Sequence, residues 1–232
     1  MNPEKISQDE LCQMVDHTFL KAFATRKDFE KLCSEAREYH FRMVAINSGP
    51  VRLCKELLKG TDVHVGAAIS FPLGQMSIEG KAEETKLAID DGADEIDYVL
   101  NVGKLIEGDL AFIRKEMETI VFICRQAHVL CKVIFEICYL NEDQIKKAAM
   151  IAKEVEPDFI KTSTGFGTSG ATVQAVRLMK KTVGAKVKVK AAGGIGNWEE
   201  AKAMMEAGAE RIGTSKGVQI IQEFAAETHK ER

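Results

Sequence analysis

The sequence predicts an α/β fold: a single closed (β/α)8 barrel, of the TIM-barrel kind, spanning residues 1–232. Three observations carry that expectation. Short β-branched or apolar runs alternate with amphipathic helical patterns along the whole chain. The runs number eight, which suits a closed parallel barrel at a length of 232 residues. No G-x-G-x-x-G follows the first run, which weakens the competing open, doubly wound sheet. No linker, low-complexity stretch or charge block offers a place to divide the chain.

In chain order the predicted strands are 14–18, 43–47, 63–70, 95–101, 132–137, 159–163, 187–191 and 211–214. Amphipathic helical patterns occupy 26–39, 77–90, 110–126, 142–154, 172–182 and 198–207 between them. Two of these patterns close on matching turns, Asp91-Gly92-Ala93 and Ala207-Gly208-Ala209. Glycine just past a helix end supplies the left-handed cap that other residues resist.

Composition narrows the function. With 45% hydrophobic and 29% charged residues the chain has an ordinary globular balance. A net charge of -3 argues against a nucleic-acid partner, since a phosphate backbone needs a concentrated basic surface. No apolar run is long enough to span a bilayer, so no membrane association is expected. The polar segment 1–10 has no apolar stretch of the signal-peptide kind. The six cysteines, Cys12, Cys33, Cys54, Cys124, Cys131 and Cys138, form no C-x-x-C pair. Neither a zinc site nor a disulfide framework is expected, and buried thiols in a reducing cytosol are the better reading.

In a barrel of this kind the chemistry sits at the C-terminal ends of the strands, and residues two apart share a face. The sixth run reads Asp158-Phe159-Ile160-Lys161-Thr162-Ser163, and a lysine inside an apolar strand is costly unless paired or functional. The seventh reads Lys186-Val187-Lys188-Val189-Lys190, with valines on one face and lysines on the other. Lys190 lies nearest its C-terminal end, whereas Lys186 and Lys188 are expected at the bottom, solvated or paired. On adjacent strands, Lys161 and Lys190 would face each other at the mouth. A free lysine is protonated at neutral pH and is no nucleophile; a neighbouring cation and partial desolvation lower its pKa. A neutral Lys161 could then form a Schiff base with a carbonyl, and the iminium serves as electron sink without a metal or cofactor. In the fourth run Glu95 and Asp97 share a face, and Asp97 is the candidate proton shuttle and partner of Lys190. Glu136 and Asp16 could complete the polar mouth. On the residue pattern alone, a structural ion-pair role for Lys161 stays open, as does a purely neutralising role for Asp97.

Glycine-rich turns follow the last three runs: Thr164-Gly165-Phe166-Gly167, Ala192-Gly193-Gly194-Ile195-Gly196-Asn197 and Gly213-Thr214-Ser215-Lys216-Gly217. Glycines let backbone amides approach an anion, and barrels of this kind commonly bind phosphate in the loops after strands seven and eight.

At these residues the sequence resembles the deoxyribose-phosphate aldolase family. The matching segments are Asp16-His17-Thr18, Gly92-Ala93-Asp94-Glu95-Ile96-Asp97, Asp158-Phe159-Ile160-Lys161-Thr162-Ser163-Thr164-Gly165, Val189-Lys190-Ala191-Ala192-Gly193-Gly194 and Arg211-Ile212-Gly213-Thr214-Ser215. They fall in order over almost the whole chain. The resemblance implies a cytoplasmic, cofactor-independent class I aldolase of deoxyribonucleoside catabolism. Such an enzyme reversibly splits 2-deoxy-D-ribose 5-phosphate into acetaldehyde and D-glyceraldehyde 3-phosphate, and members of the family are often homodimers. The resemblance also implies that Lys161 is the Schiff-base lysine, that Lys190 tunes it, and that Asp97 moves protons. The expected substrate- and phosphate-binding set is Asp16, Thr162, Gly165, Gly193, Gly194, Gly213, Thr214 and Ser215. Three departures stand out. Ala45 occupies a strand-two position where many members have cysteine. Lys216 stands where a serine is frequent. The chain ends in His229-Lys230-Glu231-Arg232 where some members end in a tyrosine that assists proton transfer.

Overall fold

The computed structural model of the chain describes residues 6–230. Eight parallel strands close in sequence order into one barrel, with the last paired to the first. They are β1 (Val15–Thr18), β2 (Met43–Asn47), β3 (His64–Ile69), β4 (Glu95–Val99), β5 (Leu130–Ile134), β6 (Phe159–Lys161), β7 (Lys188–Ala192) and β8 (Arg211–Thr214). The helices are α1 (Gln8–Cys12), α2 (Arg26–Glu38), α3 (Val51–Leu57), α4 (Ile78–Asp90), α5 (Val102–Glu107), α6 (Leu110–Gln126), α7 (Glu142–Val155), α8 (Val173–Val183), α9 (Trp198–Glu206) and α10 (Gly217–Lys230). No helix among the described residues is long and apolar enough to cross a membrane. All six cysteines are free, five of them buried and Cys138 partly so.

Local chemistry explains where the helices begin. Ser77, Asn101, Asp109, Asn141, Thr172 and Asn197 each accept a backbone N–H from the first turn of the helix that follows. Such a cap is worth about 1 kcal/mol, because it satisfies a donor that the helix itself cannot. Gly92 and Gly208 sit at φ 103 and 109, the left-handed stops read from the two Gly-Ala turns.

The period-two alternation of the strands splits the barrel into two environments. One parity points outward to the helices. Val15, Val44, Ile46, Val65, Ile69, Ile96, Tyr98, Val133, Ile160, Val189 and Ile212 all join the continuous apolar core there. The other parity points into the barrel, and it carries Asp16, Glu95, Asp97, Lys132, Lys161, Lys190 and Arg211, all buried. Small residues make room for these long side chains. A Cβ on Gly66 would lie 2.3 Å from Sδ of Met43, so the missing side chain on β3 is what lets Met43 fill the interior.

The expected strand 132–137 is observed two residues earlier, as β5. Glu136 takes a left-handed conformation at φ 55, which ends the extended chain before Ile137–Tyr139 forms a 3-10 turn. Lys186 and Lys188 are exposed at the bottom of the barrel, where Lys186 pairs with Glu156. Of the terminal segment noted above, Glu231 and Arg232 lie outside the described residues.

Candidate active site

A cleft of about 450 Å3 opens at the C-terminal ends of the strands. Its walls come from the turns after β1, β6, β7 and β8, and one inward-pointing strand lysine, Lys161, reaches it. Gly165, Gly193, Gly194, Gly213, Thr214 and Ser215 all line this cleft, as do Lys21 and Lys216. Asp16 and Thr162 do not. Asp16 lies deeper in the barrel against Arg211 and Lys190. Thr162 is buried, where its hydroxyl donates to the Ala192 carbonyl and accepts from the Ala192 N–H, tying β6 to β7.

The glycines shape the walls. Gly165, Gly193 and Gly194 sit at φ 85, 86 and 77, conformations that a side chain would strain. A Cβ on Gly170 would lie 2.0 Å from the Gly193 carbonyl oxygen, so the turns after β6 and β7 meet backbone to backbone. A Cβ on Gly213 would lie 3.0 Å from Cε of Lys190, so this glycine also clears a path for that side chain. Thr214 donates to the Ile195 carbonyl at 2.6 Å and accepts the Lys216 N–H at 2.9 Å, which fixes the turn that leads into α10. Glu136 reaches none of the strand lysines. Its carboxylate accepts the Thr164 N–H at 3.1 Å and the Thr164 hydroxyl, so it holds the turn after β6.

At the base of the cleft Lys161 and Lys190 are register partners on adjacent strands. Both amines donate to one oxygen, Oδ2 of Asp97, at 2.9 and 2.7 Å. The other oxygen, Oδ1, accepts from Lys132 at 2.7 Å. Burial alone would raise the Asp97 carboxyl, but Lys132, Lys161 and Lys190 together hold it well below the usual carboxylate range. Lys161 moves the other way. Burial lowers it to about 8; Asp97 opposes the shift, while Lys190 and Lys132 add to it. Burial would also lower Lys132, but the carboxylates of Asp97, Glu95 and Asp16 outweigh it and keep that lysine above its ordinary value. Of the three buried lysines on this carboxylate, Lys132 is thus held as a cation and Lys161 is eased toward the free amine.

Sequence reading passed over Lys132 and Arg211. The signal was present, since each follows the same period-two parity as its neighbours Ile134 and Gly213 and so must point inward. Ala45 is buried among the inward-facing residues beside Thr18 in the β1–β2 register.

A family model described as DeoC/LacD family aldolase matches residues 11–223. The deoxyribose-phosphate aldolase of Lactobacillus acidophilus is 57% identical over 218 residues, covering 94% of this chain and 92% of that relative. The deoxyribose-phosphate aldolase of Bacteroides thetaiotaomicron is 52% identical over 219 residues, with the same two shares of 94% and 92%. Among solved structures, one described as the unique tetrameric structure of deoxyribose phosphate aldolase from Aeropyrum pernix aligns with a TM-score of 0.88 at 28% identity. That alignment covers 95% of this chain and 93% of the other.

Proposed function

The chain belongs to the DeoC/LacD aldolase family, and from that premise we propose that it reversibly cleaves 2-deoxy-D-ribose 5-phosphate through a Schiff base on Lys161. The products are acetaldehyde and D-glyceraldehyde 3-phosphate, and the cellular role is deoxyribonucleoside breakdown in the cytoplasm. The observation that carries the proposal is Lys161 itself: a buried amine on the cleft wall, lowered to about 8, beside an anion at 2.9 Å. A value of about 8 in place of 10.5 raises the neutral fraction at pH 7 roughly 300-fold.

The steps follow from that starting state. Neutral Lys161 adds to the open-chain aldehyde, and loss of water from the carbinolamine leaves an iminium. Cleavage between the second and third sugar carbons sends the bonding pair toward the iminium, while the third-carbon hydroxyl loses its proton and leaves as the new aldehyde. The resulting enamine is protonated, and hydrolysis returns acetaldehyde and the free amine. Asp97 lies beside the nitrogen that gains the positive charge, so its anionic form stabilises the iminium. Protons move between Asp97, Lys190 and water. The turns at Gly165, Gly193–Gly194 and Gly213–Ser215 offer backbone amides to the phosphate, and the N-terminus of α10 adds its favourable dipole. In this role Asp16 acts from below, through Lys190, and Thr162 acts by holding β6 against β7. Assembly as a homodimer is part of the proposal; a tetramer, the state named for the Aeropyrum pernix protein, is the alternative that light scattering separates.

Borohydride reduction with acetaldehyde, followed by peptide mass mapping, tests the core of the proposal. A two-carbon adduct on Lys161 is expected. Absence of any adduct from folded protein would remove the Schiff-base route.

A further inference from the structure

Asp97, Lys161 and Lys190 do not stand alone. Four more buried charges fill the barrel beneath them: Asp16, Glu95, Lys132 and Arg211. Lys190 contacts Asp97 at 2.7 Å and Asp97 contacts Lys132 at 2.7 Å. Lys132 contacts Glu95 at 2.5 Å and Glu95 contacts Arg211 at 3.2 Å. Arg211 contacts Asp16 at 2.7 Å through Nε, and Asp16 returns to Lys190 at 2.5 Å. The contacts form a closed ring in which acid and base alternate. It holds three anions and three cations, so it is neutral without Lys161. Among the described residues Lys161 is attached from outside, through Asp97 alone, on the side of the cleft.

A neutral ring gives a seventh charge nothing to cancel. Protonating Lys161 places an uncompensated cation in a buried site, which low polarisability makes costly. Any change in the ring's charge must therefore be felt at Lys161, even from residues that never reach the cleft. We propose that the ring is the device that decides whether Lys161 carries its proton, with Glu95 and Arg211 as positioning residues that act through Lys132, Asp16 and Asp97. This rests on the reading of Lys161 as the nucleophile. Other charged groups face the assembly too. Arg42 and His64 approach Glu95 from the bottom, at 3.9 and 2.7 Å. Lys21 and Lys216 line the cleft above, and Glu136 is engaged by Thr164. The inward residues that β2 and β3 set in register with Asp97, Asn47 and Ala68, carry no charge.

The test uses pH-dependent labelling of Lys161 by acetic anhydride, read by peptide mass mapping, beside the pH profile of kcat/KM. Glu95→Gln leaves the ring one charge positive, so the midpoint for Lys161 should move to lower pH. Arg211→Met leaves it one charge negative, so the midpoint should move to higher pH. The shift expected is about one unit each way, tenfold in the neutral fraction. The double variant restores a neutral ring and should return the midpoint near its original value. Arg211→Lys keeps the charge but loses the guanidinium fork, and should leave the midpoint in place whatever it does to kcat. Opposite shifts that cancel in the double variant are not the mark of a merely structural pair. Should Arg211→Met fail to fold, the near-isosteric Glu95→Gln decides the matter alone. Midpoints that do not move, or a Lys161 that labels at no pH, overturn the proposal. The two readings fail differently: without the Schiff base, Lys161 still titrates but forms no acetaldehyde adduct, whereas without the ring's control the adduct forms and the midpoints stand still.

Discussion

Lys161 and Lys190 are paired residue for residue on neighbouring parallel strands, and their amines converge on the same oxygen of Asp97. Two amines on one buried oxygen crowd positive charge, and Lys190 is one of the groups that lower Lys161. Lys190 has a second carboxylate, Asp16, at 2.5 Å, whereas among the described residues Lys161 has Asp97 alone. The amine at the cleft is the less compensated of the two, and burial together with the neighbouring lysines lowers it to about 8.

That asymmetry sets a pH dependence. Lys161 must be neutral to attack, so kcat/KM should rise with pH and level off above about 8. Lys190→Leu removes a cation that lowers Lys161, so the rising limb should move to higher pH and turnover at neutral pH should fall. A limb at the same pH in the variant would exclude this electrostatic role. The pH–rate profile is the measurement.

The same shift carries a stability cost. Lys161 is a base whose value in the folded protein, about 8, lies below the ordinary 10.5. Between about pH 8 and 10.5 the unfolded chain binds more protons, so the cost is full below about pH 8 and is relieved as pH rises toward 10.5. The cost at neutral pH is about 3 kcal/mol. Lys161→Met should abolish turnover and the borohydride adduct, yet raise Tm at pH 7 by several degrees, at about 2–4 °C per kcal/mol. The gain should vanish near pH 10.5. Calorimetry at both pH values checks it, and a Tm that falls at pH 7 contradicts the sign.

The backbone contact between the turns after β6 and β7 supplies a third prediction. In Gly170→Ala the new Cβ would lie 2.0 Å from the Gly193 carbonyl oxygen, so one turn must move. Phosphate binding should suffer more than the chemistry. KM for 2-deoxyribose 5-phosphate should rise about tenfold, equivalent to 1.4 kcal/mol. The kinetics with unphosphorylated 2-deoxyribose should change far less. Equal losses on both substrates would place the phosphate elsewhere.

Lys21 and Lys216 are the two cations on the cleft wall besides Lys161, and Lys21 lies over the ring of Phe166 at 5.6 Å. Both are exposed, so each contributes modestly and is screened by salt. Lys21→Gln and Lys216→Gln should each raise KM for the phosphorylated substrate several-fold, on the order of 1 kcal/mol apiece at low ionic strength. The difference from the parent should shrink as salt is added. No change in either variant leaves the backbone amides as the sole phosphate ligands.

Sequence alone determined the barrel and five of the seven charged residues in its interior. Strand periodicity is local, so β2 and β8 were legible to the residue, and the parity that buries Val189 necessarily turns Lys190 inward. The end of β5 was not legible, because a left-handed Glu136 stops the strand for a tertiary reason: its carboxylate is committed to Thr164 in the next turn. Lys132 and Arg211 were missed for a related cause. A charged residue at the start of a strand reads as solvated unless its partner is known, and the partner of Arg211 is Asp16, 195 positions away. Only barrel closure, which pairs β8 with β1, brings them together. That Lys161 is lowered while Lys132 is raised could not be read from the chain at all. That outcome depends on the number of opposite charges within reach of each amine, and the folded barrel alone supplies the count.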